Sequence, residues 1–230
     1  MPAILPDIPV AEAAIIEMTN GIRQREKLGP VAADKALTIA ARAFAAYLAK
    51  TNTFSHTAGG QQPSDRAKAA GYDHCQIAEN LALTADSRGF EARALAKQTI
   101  EGWLNSPGHR ANLLAPYVTQ IGVAVARVPD KDPKYVIVEM VGRPMTMASE
   151  FQVSNATKDS VRYALSGEAQ TLEPGMGITH TVCQPKTILF EKAGVTALTD
   201  HFEAKDGQVY TVRQKSGAVT VEVTARDRVK

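Results

Sequence analysis

Gly102-Trp103-Leu104-Asn105-Ser106-Pro107-Gly108-His109-Arg110-Ala111-Asn112-Leu113-Leu114 joins a helix end, a helix start and a cluster of polar side chains in one short stretch. Asn105-Ser106 cuts off an apolar-periodic run. Ser106-Pro107-Gly108 then restarts a helical turn, with the serine as cap and the proline at the first position, where its missing N–H costs nothing. That turn carries His109, Arg110 and Asn112. Upstream, the spacing predicts a helix from about Gly89 to Leu104, with Phe90, Ala94, Thr99 or Ile100, and Trp103 or Leu104 facing inward. Downstream, from Gln120, the period changes to alternation, with Ile121, Val123 and Val125 on one side and Gly122, Ala124 and Ala126 between them. A turn-rich Pro129-Asp130-Lys131-Asp132-Pro133 leads to a second strand, Tyr135 to Val141, apolar enough on both faces to be central.

Toward the N-terminus, Val10 to Lys27 reads as an amphipathic helix ended by Gly29-Pro30. A second helix begins after Asp34, stacks Leu37, Ala41, Phe44 and Leu48 on one face, and stops at Thr51-Asn52-Thr53. Phe54-Ser55-His56-Thr57 opens a loop, so His56 sits just past a helix end, where a side chain can point into a cleft. A short helix, Ser64 to Ala70, follows with Ser64 as its cap and Gly71 as its terminator. Ile77-Ala78-Glu79-Asn80-Leu81-Ala82-Leu83 is then a mostly apolar segment interrupted by one acid and one amide.

Beyond Gly142-Arg143-Pro144 the texture changes to short β-like segments separated by turns. Phe151–Val153, Ser160–Leu165, Gly177–Val182, Thr187–Phe190, Ala197–Phe202, Val209–Arg213 and Val219–Thr224 make about seven strands at sandwich spacing. The expected division is an α/β domain over residues 1–146 and a small all-β, sandwich-like domain over 147–230.

Apolar residues make up 44% and charged residues 22%, and no run of about 18 apolar residues exists to form a transmembrane segment. The net charge of +2, from 26 basic and 24 acidic residues, is spread without a basic block, which argues against nucleic acid as a partner. Met1-Pro2-Ala3-Ile4-Leu5-Pro6 lacks the charged and apolar regions of an export signal. Two readings follow: a cytosolic protein, or a mature chain whose signal has been removed and a start methionine supplied. Cys75 and Cys183 are the only cysteines. A disulfide between them would close a long loop and contribute up to about 4 kcal/mol; the alternative is two separate buried thiols.

The acid in the apolar run carries the most chemical information. Glu79, flanked by Ile77, Leu81 and Leu83, must face solvent or be paired, because burying it alone costs several kcal/mol or neutralises it. A histidine or a metal is the natural counterpart. His56 and His109 are the candidate imidazoles, and with Glu79 they make a set able to hold a divalent cation such as Zn²⁺ or to support acid–base work. The alternative is a hydrogen-bonded polar network that rigidifies the loop junction. No His-Glu-x-x-His helix, Gly-x-Ser-x-Gly elbow or glycine-rich phosphate loop is present.

Four ordered segments, Phe54-Ser55-His56, Ala78-Glu79-Asn80-Leu81-Ala82, Gly102 to Leu114 and Thr119-Gln120-Ile121-Gly122-Val123, resemble the signature of bacterial CAP/SCP domains. The resemblance runs from about Val10 to Gly142. It implies that family's α-β-α three-layer sandwich and a secreted or periplasmic protein. Eukaryotic members carry a cavity tetrad of two His and two Glu, of which His56 and Glu79 match one of each. Ser106 and Tyr117 stand where the other Glu and His would be, and His109 belongs to the bacterial version of the motif. Asn80, Trp103 and Asn112 also match, as structural residues, with Asn112 bracing the loop of His109. The family implies a ligand-binding role toward a lipid or cell-envelope component, with the β domain as a second contact surface. The rival is a metal-assisted hydrolase using His56, Glu79 and His109.

Overall fold

The computed structural model describes residues 2–191, 201–215 and 218–226, in two compact units, Met1–Thr146 and Met147–Lys230. In the first unit, α1 (Ile8–Arg25) starts two residues ahead of the expected Val10, because the Asp7 side chain accepts from the Val10 amide and a proline occupies the first turn. A two-residue strand, β1 (Ala32–Ala33), precedes α2 (Lys35–Thr51). Asp34 caps α2 through the Leu37 amide, Asn52 ends it in the left-handed region, and Leu37, Ala41, Phe44 and Leu48 are all buried. α3 (Pro63–Ala69) begins one residue before Ser64, so that serine is not its cap: Gln62 is, its amide donating to the Asp65 carboxylate.

The Glu79 segment is part of a long strand, β2 (His74–Ala85). α4 (Ala92–Leu104) starts later than expected because Gly89, at φ +79°, sits in a turn pressed against the backbone of Ile4. Its buried stripe is Leu95, Ala96, Thr99, Ile100 and Trp103, while Ala94 points outward, a correction of one helical position. α5 (Pro107–Leu113) follows, then β3 (Gln120–Val128) and β4 (Lys134–Pro144).

The sheet order is β1-β3-β4-β2, with β1 parallel to β3 and the other pairs antiparallel, so β4 is interior and β2 is an edge. Strand alternation divides the core. Ile121, Val123, Ile137 and Val141 pack against α1 and α4, whereas Leu81, Ala124, Val136, Val138 and Met140 pack against α2. The result is a three-layer α-β-α sandwich. Gly122 permits the close α2 approach, since a Cβ there would lie 2.2 Å from the Leu37 carbonyl carbon.

The second unit is all β: β5 (Ser149–Asn155), β6 (Val161–Leu165), β7 (Glu168–Leu172), β8 (Gly177–Val182), β9 (Thr187–Glu191), β10 (His201–Glu203), β11 (Gln208–Lys215) and β12 (Ala218–Ala225). They form two four-stranded sheets, β10-β9-β6-β7 and β12-β11-β5-β8. Both sheets contribute to one core around Phe151, Tyr163, Phe190 and Tyr210. β7 was not expected from the sequence. Residues 197–200 of the expected Ala197–Phe202 strand lie outside the described residues. Among the described residues no helix is long and apolar enough to cross a membrane.

Candidate functional site

β2 pairs with β4 so that Glu79 lies opposite Met140 and Asn80 opposite Glu139. Successive side chains leave a strand on opposite faces, which sends Glu79 toward α2 and α3 and Asn80 toward α1 and α4. Glu79 is 4% exposed and fully engaged. Its Oε1 lies 2.8 Å from His56 Nδ1, and its Oε2 accepts from Arg66 Nη2 at 2.6 Å. Those partners offset the cost of burying a carboxylate.

Arg66, on α3, is buried like the acid it pairs with. Its guanidinium also donates to the carbonyls of His56 at 3.0 Å and Gln61 at 2.6 Å, and lies 3.5 Å from the centre of the Phe44 ring. One cation thus fixes the carboxylate and the loop that carries His56. Nδ1 of His56 is engaged by this carboxylate, so Nε2 is the nitrogen left for a ligand. The His56 side chain is 48% exposed, so that nitrogen sits on an accessible ring.

His109 is half-buried on α5. Desolvation holds its pKa below the usual imidazole value, and the neighbouring His56 adds to the same effect. His56 is thus near enough to act on His109 through space. Asn80 Nδ2 donates to the His109 carbonyl at 3.2 Å and to Glu139 Oε2 at 2.9 Å. Asn112 Nδ2 donates to Asn80 Oδ1 at 2.9 Å and to the Glu79 carbonyl at 3.0 Å, tying α5 to the strand beneath it. Trp103 Nε1 donates to the Leu81 carbonyl at 3.0 Å. Ser106 occupies the N-cap position of α5 without a side-chain capping bond, its carbonyl accepting from the Arg110 amide, and the Tyr117 carbonyl accepts from Arg143, so the two departures from the tetrad take part through their backbones.

A metal ion fits this set poorly. Zinc requires lone pairs about 2 Å away, converging on one point. Glu79 has given one oxygen to an imidazole and the other to a guanidinium. Among the described residues no group of three His, Cys, Asp or Glu stands where it could hold a metal.

Sequence reasoning missed two charged participants. Glu139 is 1% exposed and accepts from Thr19 Oγ1 as well as Asn80. Burial pushes its pKa up to about 7 against the opposing pull of those hydrogen bonds and of Arg23. A signal for it existed, a lone acid in the apolar run Tyr135–Val141. Arg66 offered no comparable signal, standing among Asp65 and Lys68 on a polar-looking helix. Beside Arg66, Ile39, Ala43, Phe44, Tyr47 and Ala58 help line a groove of ≈ 370 Å³ between α2 and α3. Its walls are largely apolar, and Ile39 and Tyr47 are strongly exposed at it.

A sequence model of the Cysteine-rich secretory protein family (CAP) matches residues 16–140. The uncharacterized protein YkwD of Bacillus subtilis (strain 168) is 33% identical over 115 residues, covering 49% of this chain and 41% of YkwD. This chain thus spans about two fifths of that relative. Among solved structures, an outer surface protein from Borrelia burgdorferi superposes with a TM-score of 0.51 at 21% identity, over 58% of this chain and 92% of that one. An extracellular protein containing a SCP domain from Bacillus anthracis str. Ames gives 0.48 at 28% identity, over 59% of this chain and 41% of its own.

Proposed function

The chain belongs to the cysteine-rich secretory protein (CAP) family, and from that membership we propose that it is an exported protein that binds an amphiphilic ligand, lipid-like in its apolar part and derived from the cell envelope. The observation that carries this reading is that Arg66 both helps line the apolar groove and is bonded to the Glu79 carboxylate and the His56 carbonyl. On one side of that residue is the apolar groove between α2 and α3; on the other is the His56–Glu79 pair. A hydrocarbon portion would occupy the groove, and a hydrogen-bonding head group would meet Nε2 of His56. The family's secretory character supports export. The β domain, with the outer faces of its strands exposed, is the second contact surface of the proposal.

The pure-network alternative predicts no ligand, and lipid retention separates the two. The purified chain is mixed with total lipid from a bacterial envelope, freed of unbound lipid by gel filtration, and extracted for mass spectrometry. Retained lipid is expected. Ala43→Leu should lower retention by roughly tenfold, about 1.4 kcal/mol, because Ala43 is exposed and lines the groove, so a larger side chain fills it without entering the core. Native protein that retains no lipid would overturn the reading.

A further inference from the structure

We propose that Arg66 is the resident cation of this site, its guanidinium occupying the side of Glu79 that a divalent ion would need, so that the His56–Glu79 pair works without an exchangeable metal. This inference goes beyond the ligand reading and does not depend on it.

Three observations carry it. First, the guanidinium is locked rather than draped over the site. It donates to Glu79 Oε2, to the His56 carbonyl and to the Gln61 carbonyl, and it rests on the Phe44 ring. Its side chain is 6% exposed, so water offers no alternative solvation that would help it leave. A multiply bonded, stacked arginine of this kind behaves as a fixed structural charge. Second, His56 and Glu79 cannot hold one ion together as they stand. Nδ1 of His56 points at Glu79, so Nε2 points away from it, and an ion held by Nε2 could not also be held by the carboxylate. An ion entering between Nδ1 and Oε1 would have to expel the shared proton and then sit beside a permanent positive charge. Third, Arg66 does what a structural metal does elsewhere: it compensates a buried carboxylate and ties two chain segments to it, the His56 loop and β2.

The function that follows is a site whose charge balance is set by covalent structure. Glu79 stays paired on both oxygens, and His56 stays oriented through Nδ1 with Nε2 left for the ligand.

Calorimetric titration of the full chain with zinc chloride tests this. The native protein should bind zinc no more tightly than His56→Ala does. Arg66→Gln, which frees Oε2, should bind zinc at least tenfold more tightly than native protein, and Arg66→Gln/His56→Ala should lose that gain. Stoichiometric zinc uptake by the native chain that disappears in Glu79→Gln would overturn the proposal. So would a folded Arg66→Gln with no gain. Should that variant fail to fold, nitrogen NMR of histidine-labelled native protein decides: an Nδ1 resonance of His56 unmoved by equimolar zinc supports the proposal, and loss of the Nδ1 proton to zinc refutes it.

Discussion

Arg23→Met should destabilise the first domain by about 4 kcal/mol, a large share of the roughly 5–15 kcal/mol that holds a typical domain together. Arg23 is 1% exposed, and its guanidinium satisfies four backbone carbonyls: Gly29, Leu113, Ala115 and Val118. These carbonyls lie in the loop after α1, at the end of α5 and in the segment joining α5 to β3, so the side chain fastens α1 to the chain that follows His109. Methionine preserves most of the apolar stem, so the cost comes from orphaned acceptors rather than from a void. The variant also removes the positive charge that opposes the upward shift of Glu139. Trp103, the single tryptophan, is buried in this domain, and urea unfolding followed by its fluorescence measures the effect there. A loss under about 1 kcal/mol would mean that water takes over the carbonyls and that the site is less dry than the structure shows.

The contrast between Arg23 and the other residues of the site explains what was legible in the chain. Glu79 stood out because a carboxylate in an apolar run forces a partner, and that argument needs no knowledge of the fold. The identity of the partner was only half accessible. His56 follows a helix end, where a side chain can enter a cleft, whereas Arg66, although nearer to Glu79 in sequence, becomes inward-facing only because α3 packs on β2, which no local pattern encodes. Arg23 likewise sits in the last turns of α1, where basic residues are ordinarily solvated and merely favour the helix dipole. Its bonds run to residues about 90 positions away. The same reasoning covers β7. Glu168-Ala169-Gln170-Thr171-Leu172 is a sheet edge whose side chains are mostly exposed, so it lacks the apolar alternation that marked its neighbours. Helix boundaries were readable to within a few residues wherever a cap was local, as at Asp34. They moved where a distant backbone intervened, as Ile4 does at Gly89.

Glu139→Gln is expected to make the first domain more stable at pH 8 by about 3 kcal/mol while leaving it nearly unchanged at pH 4.5. The native carboxyl titrates near pH 7 in the fold, against 4.5 as its ordinary value. The folded state therefore holds its proton where the unfolded chain has already lost it. Stability contributed by the neutral form is fully present below about pH 4.5 and is lost as pH rises through about 7; each unit of difference corresponds to about 1.4 kcal/mol. Glutamine is neutral at every pH and close in shape. Its oxygen can accept from Asn80 Nδ2, and its amide can donate to the Thr19 hydroxyl oxygen, so both contacts survive. Paired urea unfolding curves of native and variant protein at intervals between pH 4.5 and pH 8, read at Trp103, should diverge steadily and then run parallel. Curves parallel throughout would show that Arg23 compensates the ionised acid completely. Divergence as expected would place a neutral-pH ionisation beneath Asn80, the residue that holds the His109 carbonyl.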